Sequence, residues 1–250
     1  MVAPNGANVD SKSKRSQVRD LWLSFFRPIS AGFRRKRFAQ ILRQDPDLLA
    51  KRILDVGGSL HFWQKVGVDI ERHDITILNI AADGQSTDIS GQVRPSSITL
   101  YDGSTIPWPD QHFDWAISNS VIEHVPPPQR ARFASELQRV CRNYLVQTPA
   151  FAFPIEPHFV IPFVHWLPRR IGRLAAGFGL WRLLSRRNWK EVDNYFQEVN
   201  LLTLKEFQSY FPGAQLSTER FILMPKSYTL IGHREAASAS TAPHDPDEFG

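Results

Sequence analysis

The feature that most constrains this chain is a ladder of short apolar segments, each stopping at a glycine or a polar side chain. Arg52-Ile-Leu-Asp-Val-Gly-Gly58 is a short buried strand ended by two glycines. Ile75-Thr-Ile-Leu-Asn-Ile80, Ser97-Ile-Thr-Leu-Tyr101, Phe113-Asp-Trp-Ala-Ile-Ser118 and Tyr144-Leu-Val-Gln-Thr148 follow as further strands. Helical patterns fall between them. Phe33, Phe38, Ile41 and Leu42 recur at helix-like spacing before the first strand. After Pro126-Pro-Pro128, so do Phe133, Leu137, Val140 and Cys141. Thr203-Leu-Lys-Glu206 is a capping box opening a helix through Phe211, stopped by Pro212. Arg220–Met224 and Ser227–Gly232 are expected as two closing strands about a Pro225-Lys226 turn.

Strands alternating with helices predict an α/β fold, a mostly parallel sheet covered on both faces. In such sheets ligands sit beyond the carboxyl ends of the strands, near the point where strand order reverses. Polar residues and glycines accumulate at those ends: Asp55, Gly57 and Gly58; Asn79; Asp102 and Gly103; Ser118 and Asn119. Strands that merely filled a core would not need them there.

The totals bound the rest. With 250 residues, 42% hydrophobic and 22% charged, the chain fits a soluble globular domain carrying an insertion. No run approaches the ~18 to 20 apolar residues that a membrane-spanning helix requires. Arg27 cuts the short apolar run Leu21–Ile29, so no signal-peptide centre is expected. Cys141 is the single cysteine, which rules out a disulfide framework and points to a reducing cytoplasm. His61, His73, His112, His124, His158 and His165 lack i, i+4 pairing or a supporting cysteine, so no metal site is predicted.

Charge is unevenly spread. Up to Arg43 there are ten Lys/Arg against Asp10 and Asp20, giving +8, while the whole chain carries +5. Residues 1–19 are predicted to be a disordered basic arm and residues 236–250 a disordered tail, with one domain over 20–235.

Rival cofactor fingerprints are absent. There is no G-x-G-x-x-G, no G-x-x-x-x-G-K-[S/T], no tyrosine with lysine four residues later and no G-x-S-x-G. Other motifs occur together and in order. Ile53-Leu-Asp-Val-Gly-Gly58 resembles the first motif of the class I S-adenosylmethionine-dependent methyltransferases. Tyr101-Asp102-Gly103, Ile106-Pro-Trp-Pro-Asp110 and His112-Phe-Asp114 together resemble the "D-A-x-x-L-P-F-x-D-x-x-F-D" stretch of the small-molecule members. Ser120-Val-Ile-Glu-His-Val125 resembles the "S-x-x-E-H-V" that follows their fourth strand. The similarity spans roughly residues 50–150. It implies a Rossmann-like, seven-stranded, mostly parallel sheet, with S-adenosyl-L-methionine as cofactor. By this resemblance Gly57 and Gly58, with Asp55 and Ser59 in the same turn, would line the methionine portion. Asn79 would face the ribose, Asp102 and Gly103 the adenine, and Asn119 the reactive end.

The chain departs from the family pattern twice. Ser59 stands where a further glycine is usual, and serine forbids some positive-φ geometries open to glycine. Asn79 stands where Asp or Glu is usual, offering the ribose one acceptor oxygen instead of two. These departures favour the alternative of a non-catalytic cofactor-binding or membrane-peripheral protein on the same fold.

Glu156 and His158 are the first candidates for acid–base chemistry, in the proline-stiffened Pro154-Ile-Glu-Pro-His158, and His124 is the next. The segment 151–190 is expected to be a helical cap after the fifth strand. Between Pro157 and Lys190 it holds seven basic residues and no acid, interleaved with large apolar ones. By resemblance such a segment is a lid over the acceptor. Its composition also suits the surface of an anionic membrane. The acceptor would be a small molecule, a sugar or a lipid-linked intermediate. Methylation at oxygen or nitrogen is expected, and no nucleic-acid partner.

Overall fold

The computed structural model describes residues 32–80, 98–156, 161–178, 189, 193 and 199–233. The arm 1–19, the tail 236–250, His158 and most of the cap beyond Phe178 lie outside these.

Among the described residues the main sheet has seven strands. They are β1 (Ile53–Val56), β2 (Ile75–Ile80), β3 (Ile98–Tyr101), β4 (Phe113–Asn119), β5 (Cys141–Pro149), β8 (Gln215–Phe221) and β9 (Met224–His233), in the order β3-β2-β1-β4-β5-β9-β8. The pairs among β1 to β5 are parallel, and β9 is antiparallel to both β5 and β8. Strand order reverses between β1 and β4, so the carboxyl ends of these two strands flank the predicted crevice. A separate two-stranded sheet pairs β6 (Ile155–Glu156) with β7 (Ile161–Pro162).

Period-two alternation divides the strand residues between two cores. Ile53, Ile75, Ile77, Trp115, Ile117, Leu145 and Ile231 pack with Phe38 and Ile41 of helix α1 (32–44) and with Trp63 of helix α2 (Leu60–Val66). Leu54, Val56, Leu78, Ala116, Tyr144, Val146 and Leu230 face the other way. They meet Phe133, Leu137 and Val140 of helix α3 (Arg130–Val140). Phe207 of helix α5 (Leu204–Tyr210) joins them. Helix α4 (Arg169–Phe178) belongs to the cap. The capping box forms as expected: the Thr203 hydroxyl accepts from the Glu206 amide at 3.2 Å.

Arg130 ties α3 to its surroundings. Its fully buried guanidinium donates to Val125 O, Asn200 O and Glu206 Oε1 at 3.1, 2.5 and 2.7 Å. Three chain segments therefore lock onto one side chain at the start of α3.

Two local expectations are corrected. Cys141 does not continue the helix: its backbone is extended at φ −129, and β5 starts there directly from α3. An apolar residue at helical spacing fits a buried strand equally well, so periodicity could not place this boundary. The final hairpin also turns earlier than predicted. Phe221 pairs with Met224, which makes Ile222-Leu223 the loop and puts Pro225 and Lys226 inside β9. Pro225 is tolerated because it lies opposite Arg220, where the register shifts and the ladder is already irregular.

Candidate cofactor and acceptor site

The turn after β1 is built around the absence of side chains. Gly57 has φ +71, and a Cβ there would lie 2.5 Å from Val121 Cγ2. At Gly58 the constraint is space: a Cβ would lie 1.7 Å from Asp55 Oδ2. The Asp55 carboxylate thus lies folded under the turn, where Trp63 Nε1 donates to it at 2.7 Å. Burial pushes this carboxyl up to about 7, and the bond from Trp63 opposes that shift. Ser59 needs no glycine-like geometry. Its φ is −145, and its hydroxyl caps α2 by accepting from the Phe62 amide at 3.4 Å. The serine departure is therefore compatible with the loop.

Asn79, near the end of β2, points its amide at this turn: Nδ2 donates to Gly58 O at 3.3 Å. Gly57 N–H donates to Leu78 O at 2.7 Å, which fixes the turn against β2. At the end of β3, both Asp102 oxygens serve its own turn. Oδ1 accepts from the Ser104 amide at 2.8 Å, and Oδ2 accepts from the Ser104 hydroxyl at 2.5 Å. Those bonds hold the carboxyl below its ordinary range. Gly103 has φ +79, and a Cβ there would approach Ile80 Cδ1 at 3.3 Å. Asp55, Gly57, Gly58, Ser59, Asn79, Asp102, Gly103 and Asn119 thus share one edge of the sheet.

That edge continues as a polar row under α1. Asn119 pairs with Gln147, Gln147 with Thr229 and Thr229 with Ser217. Gln147 accepts from the Ser120 hydroxyl at 2.9 Å, and Ser217 donates to Gln40 of α1 at 3.4 Å. Beside the row, buried Arg37 of α1 donates to Glu219 at 2.9 Å, and Ser227 donates to the same carboxylate oxygen at 2.5 Å. Lys226 lies 4.1 Å from the centroid of the Phe33 ring, and burial lowers its pKa.

The acid–base candidates fare differently. His124 is exposed, with its backbone amide bonded to Val121 O at 2.8 Å. Its neighbour Glu123 is fully buried and accepts from the Thr148 hydroxyl at 3.0 Å, joining the segment after β4 to β5. Glu156 lies in β6 opposite Ile161, and His158 lies outside the described residues. Among the described residues no group of three potential metal ligands comes together.

Sequence reasoning missed Trp63, Val121 and the Arg37–Glu219 pair. Trp63 was legible in principle, since it lies one turn into the helix that Ser59 opens. The ion pair joins residues 182 positions apart, and nothing local announces it.

The comparisons with known proteins bear on this edge. A family model described as a methyltransferase domain matches residues 50–144, the segment that carries every one of these strand-end residues. Over residues 50–144 the chain is similar to a methyltransferase domain. The cofactor of that family is S-adenosylmethionine. Gly57 and Gly58 let the turn close directly onto Val121 and Asp55, which fill the space their side chains would take. Two uncharacterized proteins of Mycobacterium tuberculosis, Rv1509 and MT1557, are each 32% identical over 107 residues, covering 38% of this chain and 36% of theirs. The chain thus spans about a third of the length of these relatives.

Among solved structures, an S-adenosylmethionine-dependent methyltransferase from Mesorhizobium loti is 15% identical with a TM-score of 0.47, covering 78% of this chain and 96% of that one. One from Archaeoglobus fulgidus is 11% identical at 0.43, covering 80% and 94%. A putative Zn-dependent alcohol dehydrogenase from Rhodobacter sphaeroides is 11% identical at 0.48, covering 76% and 87%. Likeness at this level concerns the chain trace alone.

Proposed function

We propose that the protein transfers the methyl group of S-adenosylmethionine to an oxygen or nitrogen of a small-molecule, sugar or lipid-linked acceptor. The observation that carries this reading is the Gly57-Gly58 turn at the carboxyl end of β1, where only glycine fits against Val121 and Asp55 and the backbone groups of the turn stay uncovered by side chains of their own. The cofactor supplies an electrophilic methyl on a sulfonium, so the work left to the chain is to hold donor and acceptor in line and to exclude water. Backbone groups of 57–59 would hold the methionine portion. The Asn79 Oδ1 would accept from one ribose hydroxyl, while Nδ2 stays with Gly58 O. The polar row from Asn119 to Ser217 would orient the acceptor. A base from the 154–158 loop, Glu156 or His158, would take the proton of a hydroxyl acceptor.

The test is incubation of a cell extract with the protein and methyl-labelled cofactor, followed by mass spectrometry. The account expects label in one small-molecule fraction. Cofactor binding with no label transferred to any fraction would favour the non-catalytic alternative, which the use of the Asn79 amide on Gly58 O supports.

We also infer that the cap is a lid over the acceptor whose outer face meets an anionic membrane from the cytoplasmic side. Arg169, Arg170, Ile171 and Leu174 of α4 are exposed, which suits that contact at about 1 kcal/mol per well-placed cation. Arg173 belongs less to this set, because Asp193 accepts from its guanidinium at 2.7 Å.

A further inference from the structure

The tip of the β8–β9 hairpin breaks the usual chemistry of such turns. Ile222-Leu223 is a two-residue loop, and Ile222 sits at φ 58. Loops of this length favour glycine, asparagine or aspartate at the left-handed position, where a β-branched side chain crowds the backbone. Burial gives nothing back, because Ile222 and Leu223 are each 83% exposed. Met224 beside them is exposed as well. Neither turn geometry nor core packing among the described residues accounts for three large apolar side chains at this point.

The tip adjoins the cap. Phe221 meets Phe153 edge to face at 6.3 Å, and Ala150 N–H donates to Lys226 O at 3.0 Å. Across the same 150–154 turn, Trp166 Nε1 donates to Phe151 O at 2.8 Å. Exposed Phe163, Trp166 and Leu167 belong to the segment anchored on this turn, and Phe163 N–H donates to Pro154 O at 2.6 Å. At the tip exposed Arg220 donates from Nη1 to Leu223 O at 3.2 Å, and Arg169 and Arg170 of the cap are exposed as well. The hairpin's single acid, Glu219, is buried and paired with Arg37. Apolar tips flanked by cations match the two attractions of an anionic bilayer, an apolar interior and a negative surface.

We propose that Ile222, Leu223 and Met224 form a membrane-inserting tip that seats the protein, together with the cap, on an anionic lipid surface. This rests on the cap reading above and assigns the apolar half of the contact to a different element. The tip lies at the carboxyl-end side of β5, where the polar row runs, so an amphiphilic acceptor would reach the site without leaving the bilayer.

The full-length chain is sedimented at low salt with vesicles of neutral phosphatidylcholine, or of phosphatidylcholine mixed with phosphatidylglycerol. Wild-type protein is expected to partition onto the anionic vesicles about tenfold more strongly. The variant Ile222→Gly/Leu223→Asn installs preferred loop residues. Its melting temperature should stay level or rise while its partition falls about tenfold. Leu223→Ser alone should show the same direction, and it serves if the double variant folds poorly. Arg169→Gln/Arg170→Gln should weaken binding with the tip intact. Unchanged partition of the tip variants, with loss in the arginine variant, overturns the tip and leaves the cap reading standing. Absence of wild-type binding overturns both. A wild-type dimer that the tip variants convert to monomer in sedimentation velocity gives the tip to a second copy and overturns the lipid assignment.

Discussion

Trp63 Nε1 donates to Asp55 Oδ2 at 2.7 Å, and this bond holds the carboxylate of the first strand beneath the glycine turn. The donor comes from the helix that the turn itself opens, so β1, the turn and α2 form one unit. Its electrostatics have a sign. The Asp55 carboxyl titrates near 3.8 in the unfolded chain and at about 7 when folded. Between those values the folded state holds a proton that the unfolded state has released, so stability falls as pH rises.

Asp55→Asn keeps an acceptor for Trp63 and removes the titration. Wild type should therefore lose melting temperature relative to the variant as pH rises from about 4 to about 7, with no further divergence above. Paired melts across that range measure the difference. A difference that stays constant, or wild type gaining melting temperature relative to the variant as pH rises, contradicts the buried, protonated carboxyl.

Gly58→Ala is a sharper probe of the same unit. The added methyl would meet the Asp55 carboxyl group at 1.7 Å from Oδ2, forcing the carboxylate off Trp63 or the turn off Asp55. A loss of about 1–3 kcal/mol in urea unfolding is expected. A neutral substitution would show that the turn has slack it does not show here.

Asn79→Asp separates two roles of one side chain. A carboxylate cannot donate to Gly58 O, so the free protein should lose about 1 kcal/mol of stability. It can accept from both ribose hydroxyls, so affinity for S-adenosylhomocysteine should rise severalfold. Melts of the free protein and calorimetry with the ligand read the two effects independently. Weaker ligand binding would take Asn79 away from the ribose.

Glu219→Ala should be among the most damaging changes outside the glycine turn. It leaves Arg37 buried and without the carboxylate that now lies 2.9 Å away, a situation that costs about 3–5 kcal/mol. The double replacement Arg37→Met/Glu219→Leu should recover most of that in urea unfolding, because it removes both charges. A double variant as unstable as the single one would mean the pair does more than neutralise itself.

How much was legible follows from these residues. Strands β1 to β5 are short apolar runs bounded by glycine or polar side chains, buried except for β3, so the sequence pattern located them to within a few residues. The glycine turn and Asn79 stood out because residues at strand ends have no packing reason to be polar. Trp63, eight residues after Asp55, could have been found as a large side chain one turn into the helix that Ser59 opens, whereas Val121 against Gly57 was invisible, since it is brought in by the fold. The β8–β9 loop was misplaced for a related reason. Pro225-Lys226 has turn chemistry and Ile222-Leu223 has none, so a local rule selected the wrong pair.

The central claim is that the Gly57-Gly58 turn receives S-adenosylmethionine. Isothermal calorimetry with S-adenosylhomocysteine tests it most directly, on wild type and on Gly57→Val, whose side chain would collide with Val121. A dissociation constant of about micromolar strength is expected for wild type, with a matching rise in melting temperature. Gly57→Val, verified as folded by its own melt, should show no heat of binding. No binding by wild type at millimolar ligand, or undiminished binding by the variant, contradicts the account.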